Sequence, residues 1–96
     1  MTQQTKLKIE TGTKLPNGAT VIHSHYVGDG SQFGEWIVLC HWRNETEYVT
    51  WKVDRFGNAF WGHYFPVSAY DGNDDAKQAA FNDATDDYRR ICKQEV

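Results

Sequence analysis

Between positions 36 and 65 the chain carries three runs in which apolar residues occupy alternate and intervening positions alike. Trp36-Ile-Val-Leu-Cys-His-Trp42 and Glu47-Tyr-Val-Thr-Trp-Lys-Val53 are dense in β-branched and aromatic residues, and the polar tip Arg43-Asn44-Glu45-Thr46 divides them. That composition favours strands, and the tip favours a hairpin. A loop at Asn44 and Glu45 places Cys40 opposite Val49, Val38 opposite Trp51 and Trp36 opposite Val53. Asp54-Arg55-Phe56-Gly57-Asn58 then suits a type I turn closed by Gly57 in the left-handed conformation. Continuing that register sets Trp51 against Trp61, Val53 against Ala59 and Val49 against His63.

Side chains alternate along a strand, so two faces follow. The first holds Trp36, Val38, Cys40, Val49, Trp51, Val53, Ala59, Trp61, His63 and Phe65. The second holds Ile37, Leu39, His41, Tyr48, Thr50, Lys52, Phe60, Gly62 and Tyr64. A half-exposed sheet normally shows polar residues on one side. Here both sides are apolar, and one helix covers only one of them. The tryptophan face is the expected core, leaving Ile37, Leu39, Tyr48, Phe60 and Tyr64 as an open aromatic patch with His41 and Lys52 at its rim.

Toward the N-terminus, Leu7 and Ile9 alternate with charged residues, Leu15-Pro16-Asn17-Gly18 reads as a tight turn, and Thr20 to Val27 returns. This predicts a hairpin over 6–27. The Gly28–Gly34 link has three glycines and one large anchor, Phe33, but neither Walker nor dinucleotide spacing. After Pro66 the period changes. Ala76, Ala80, Phe81, Ala84, Tyr88, Ile91 and Cys92 recur at helical spacing, with Asn73 as N-cap, acidic residues first and Arg89, Arg90 and Lys93 last. The pattern predicts an α+β domain: a mainly antiparallel sheet of about five strands, comprising the hairpin and a three-stranded meander over 36–65, with one C-terminal helix over 74–93.

Composition narrows the chemistry. With 96 residues and a formal net charge of −3, the chain is one domain without the basic surplus that gripping phosphates requires. No run reaches membrane-spanning length and the N-terminal stretch is polar, so a cytoplasmic protein without membrane contact is expected. Cys40 and Cys92 read as reduced, buried small apolar residues. His23 and His25 share a strand face at a spacing that can reach one metal, but no Cys-x-x-Cys or His-Glu-x-x-His accompanies them and no metal or cofactor is expected. Cys40 as a nucleophile lacks a base, since His41 points to the other side of the strand. Asp83, Asp86 and Asp87 read as an exposed acidic face, with Asp83 and Asp87 repelling and Asp86 paired to Arg90.

Through Tyr48-Val-Thr-Trp-Lys-Val53 and Phe60-Trp-Gly-His-Tyr-Phe65, followed by an acidic helix carrying Phe81 and Arg89, the segment 36–92 resembles small uncharacterised proteins of bacteriophages and mobile elements. The resemblance implies compact acidic proteins that inhibit host defence or nucleic-acid enzymes by binding them, and it transfers no catalytic residue. The functional expectation is therefore a non-enzymatic protein-binding module, used as a homodimer or against a heterologous protein. Single-stranded nucleic-acid binding by stacked aromatics is the alternative, disfavoured by few flanking cations, and a small metal-dependent enzyme ranks below it.

Overall fold

The computed structural model describes residues 9–28, 36–54 and 56–94. Four antiparallel strands, β1 (Thr20–Tyr26), β2 (Trp36–Trp42), β3 (Glu47–Val53) and β4 (Ala59–Pro66), form a sheet in the order β1-β2-β3-β4. A 3₁₀ turn over Val67–Tyr70 leads to the helix α1 (Ala76–Gln94). The fold is α+β, with four strands rather than five among the described residues. Residues 10–21 turn back on themselves through Gly12 N–H to Val21 O (2.7 Å) and Val21 N–H to Thr13 O (2.9 Å), but make only a single bridge, Lys14 with Thr20. The turn at Leu15–Gly18 is present, with Gly18 at φ +92°. The start of the expected first strand and most of the glycine-rich link lie outside the described residues.

The β2–β3 register is the expected one: Trp36 with Val53, Val38 with Trp51, Cys40 with Val49. Asn44 and Glu45 both take positive φ, as a tight hairpin tip requires, and Thr46 N–H closes it on Arg43 O. The next turn also forms as its sequence dictates. Asp54 Oδ1 accepts from Phe56 and Asn58 N–H, and Gly57 sits at φ +83°.

Beyond Ala59 the expected register fails by one residue. Val53 pairs with Ala59, but Lys52 pairs with Trp61, Trp51 with Gly62 and Val49 with Tyr64. Phe60 is the extra residue of a β-bulge, and a one-residue slip exchanges the faces of everything after it. Trp61, His63 and Phe65 therefore join Leu39, His41, Tyr48 and Thr50, while Gly62 and Tyr64 join Val49 and Trp51. The reason is steric: a Cβ on Gly62 would meet Trp51 Cδ1 at 2.2 Å and Thr50 O at 2.8 Å. The Trp51 indole lies across β4 at the one residue that leaves room for it.

The helix covers the face opposite to the one expected. Ala80 and Ala84 pack on Leu39 and Tyr48, with Ile22, Phe65, Val67, Tyr70, Phe81 and Tyr88 around them. Small residues on α1 let it sit close, and Thr50 Oγ1 reaches Ala84 O at 3.4 Å. The tryptophan face is closed instead by the N-terminal segment, whose Ile9, Leu15 and Ala19 pack with Val21 on Val38, Cys40, Val49, Trp51 and Val53. Ser24 Oγ donates to Ile9 O (2.8 Å) and Thr11 Oγ1 to Ile22 O (2.9 Å), fastening that segment to β1. Two apolar faces thus have two different covers. The helix starts later than its acidic lead-in suggested: Asp75, not Asn73, is the N-cap, with Oδ1 accepting from Gln78 N–H at 3.0 Å.

Candidate interaction surface at the β4 edge

With both faces covered, the expected open patch dissolves. Ile37, Leu39 and Tyr48 are buried. The Tyr48 ring meets Phe81 at 5.3 Å, and burial raises its hydroxyl pKa above the usual value. His41 is half-buried in a groove of about 230 Å³ with Tyr48, Lys77 and Phe81, where Lys77 is paired with Glu45 at 3.3 Å. Lys52 is half-buried, its Nζ 4.9 Å from the Trp61 ring centre. Only Phe60 and Tyr64 of the expected aromatic contacts stand in solvent.

The exposed aromatics have a different organisation. Phe56, Phe60, Trp61 and Tyr64 are 58, 50, 38 and 51% exposed, and all belong to β4 or the turn that feeds it. Tyr26 is the remaining large exposed apolar residue among those described. Tyr64 is nevertheless fixed: its hydroxyl accepts the Trp51 Nε1–H at 3.0 Å, and its ring leans on Trp42 and Trp51 at 6.2 and 6.1 Å. Trp61 is held between Lys52 and His63, whose ring centre is 4.5 Å away. Both side chains are held in place by neighbours on the sheet.

β4 is the last strand of the sheet, and no described strand pairs with its outer edge. The direction of its backbone groups follows from one bond. Val67 N–H donates to Thr46 O at 2.9 Å in the same register that pairs Tyr48 with Phe65. Antiparallel pairs alternate between hydrogen-bonded and not, so Trp61, His63 and Phe65 turn their N–H and C=O toward β3. Gly62 and Tyr64 turn theirs outward. Sequence reasoning missed this edge, although Gly62 inside a strand is the recognised signal of a bulge or a close approach.

The acidic residues are not a uniform solvated face. Asp87 is buried, with Oδ2 2.9 Å from His63 Nδ1, and Arg90 Nη2 donates to its Oδ1. Arg90 therefore serves Asp87 rather than Asp86. Asp83 accepts from Tyr70 Oη at 2.7 Å, and Asp86 is exposed. An aspartate on His63 Nδ1 fixes the ring orientation in the manner of a nucleophilic triad. Cys40, however, lies in the other core layer, and burial pushes its thiol up to about 12, the wrong direction for a nucleophile. Burial also raises the Cys92 thiol. His23 stacks on Tyr88 at 6.0 Å, and His41 and His63 occupy the same sheet face, not opposite ones. Among the described residues no three His, Cys, Asp or Glu side chains come together as metal ligands, and no helix is long and apolar enough to cross a membrane. No protein family, curated protein or solved structure matches this chain.

Proposed function

We propose that this chain is a non-enzymatic protein-binding module that recruits an extended segment of a partner along the outer edge of β4. The observation that carries the reading is the coincidence of outward backbone groups at Gly62 and Tyr64 with exposed aromatics at Phe60, Trp61 and Tyr64, the last two braced by their neighbours. Strand addition draws affinity from main-chain hydrogen bonds and specificity from side chains flanking the edge. Edge strands are ordinarily blunted by charge, yet Ala59–Pro66 contains no Lys, Arg, Asp or Glu. Aromatic anchors of this kind dominate interface energetics where they are held in place. The partner is a second copy of the chain or, as the resemblance to phage and mobile-element proteins implies, a host defence or nucleic-acid enzyme.

Capture from host lysate with wild type and Phe60→Glu side by side tests this. A polypeptide retained by wild type and lost by the folded variant is the expected result, with Gly62 and Tyr64 amides slowing in hydrogen exchange when that polypeptide is added. Retention indifferent to Phe60→Glu, with both amides still exchanging freely, would remove the β4 edge as the binding surface.

A further inference from the structure

Building on that reading, we infer that the strand added to β4 is the β4 of a second copy, paired antiparallel about a two-fold axis at His63. The two ends of β4 limit where pairing can occur. At one end Phe60 bulges from the ladder, and at the other Pro66 has no N–H. Bulges and prolines both stop strand addition. Between them lie residues 61–65, whose midpoint is His63.

Antiparallel pairing about that midpoint sets Gly62 opposite Tyr64 of the second copy, and Tyr64 opposite its Gly62. Both residues face outward, so each pair exchanges two hydrogen bonds, four in all. A shift of two residues in one direction brings Pro66 into a donor position, and in the other direction brings in the bulge. One register therefore satisfies every outward group of the segment. Side chains agree with it. On one face each Tyr64 ring stands across from a glycine, large against absent, and on the other Trp61 stands across from Phe65, an aromatic cross-strand pair.

Charge and area also favour a copy of the same chain. Nothing from Ala59 to Pro66 carries a formal charge at neutral pH, histidine being counted neutral, so like does not repel like. At roughly 200 Å² per aromatic side chain, the exposed parts of Phe60, Trp61 and Tyr64 amount to about 280 Å² per copy. Two copies with their ladder backbone come to about 800 Å², the size of a weak, reversible interface. The product is a continuous eight-stranded sheet with one α1 on each half. The arrangement is isologous, so it closes at two copies.

The test combines sedimentation velocity over a dilution series with hydrogen exchange read at Gly62 and Tyr64. Wild type is expected to dimerise in the micromolar range, with both amides protected at high concentration and released on dilution. Trp61→Glu should weaken the dimer at least about tenfold, and its carboxylate faces Lys52 across the ladder, so the monomer keeps its fold. Phe60→Glu gives a second, independent perturbation just outside the pairing segment. A wild type that stays monomeric at about 1 mM overturns self-pairing, and the capture experiment then decides whether another protein takes the edge. A dimer in which both amides exchange freely and Trp61→Glu has no effect overturns self-pairing at β4.

Discussion

Gly62→Ala is the substitution that most directly examines the architecture, because two registers of β4 give it opposite signs. In the observed register Gly62 lies under the Trp51 indole, and the added methyl would sit 2.2 Å from Trp51 Cδ1 and 2.8 Å from Thr50 O. Thr50 is backbone in the sheet centre and cannot yield, so Trp51 must move, and Trp51 is buried against the N-terminal segment. Overpacking of this kind costs about 1–3 kcal/mol. Displacing the indole also breaks its hydrogen bond to Tyr64, worth about 1 kcal/mol. Replacing glycine in a strand returns about 0.4–1 kcal/mol through the unfolded chain. The net loss is about 1–3.5 kcal/mol, a fall in Tm of roughly 5–25 °C for a chain of this size. In the register with Trp51 opposite Trp61, the same methyl points to the other face and the substitution is neutral or stabilising. Thermal unfolding followed by circular dichroism separates the two. A Tm within about 2 °C of wild type refutes the bulge at Phe60 and the placement of Trp51. The clash also predicts non-additivity: in a Trp51→Leu background the indole contact is gone and only the approach to Thr50 O remains, so Gly62→Ala should cost at least about 1 kcal/mol less than in wild type.

Three further predictions probe separate elements. Asp75→Ala should lower stability by about 1 kcal/mol in urea titration through loss of the α1 cap, whereas Asn73→Ala should stay within about 0.5 kcal/mol. Thiol titration of the native protein at pH 8 should report at most one group, and Cys92→Ser should abolish it, because Cys40 is buried with its pKa pushed up to about 12. Tyr70 is pushed up to about 12 by burial, by its hydrogen bond to Asp83 and by that carboxylate's charge, against an unfolded value of 10.0. A raised pKa means stability present below pH 10 and lost as pH climbs toward 12, with Tyr48 and Tyr88 acting in the same direction. The urea midpoint should therefore fall over that window, and less steeply in Tyr70→Phe.

The legible and illegible parts of this fold divide on physical grounds. β2 and β3 are specified locally: a polar two-residue tip and dense β-branched runs leave one pairing, and Val38, Cys40, Val49 and Trp51 land where alternation puts them. The helix is equally local, since Ala80, Ala84 and Ile91 recur on one stripe. Asp87 lies on that same stripe, at the spacing 80, 84, 87, 91, and its burial was there to be seen. Charge repulsion with Asp83 is outweighed because Arg90 pairs with Asp87 and His63 Nδ1 hydrogen-bonds it. β4 was not legible by alternation, since the turn before it is ordinary and the slip comes two residues later, at Phe60. Which cover each face receives is a further step removed, depending on side chains distant in sequence: Ile9, Leu15 and Ala19 for one, Ala80 and Ala84 for the other.

The bulge links the packing of the core to the proposed strand addition at β4. Without it, Trp61 would stand on the tryptophan layer beside Trp51, and a residue other than Gly62 would lie under the indole. With it, Trp51 closes over Gly62 and anchors Tyr64, and Trp61 is carried to the margin of the helix layer, where Lys52 and His63 hold it without covering it. The same inserted residue also ends the pairing-competent part of the edge on one side, as Pro66 does on the other. A single insertion thus sets the core packing, places the exposed aromatics and, in the proposed pairing, fixes the register of the added strand. Packing of the core alone accounts for the first of these. The other two leave an uncharged strand edge in solvent, a liability that folds ordinarily suppress and that strand addition requires.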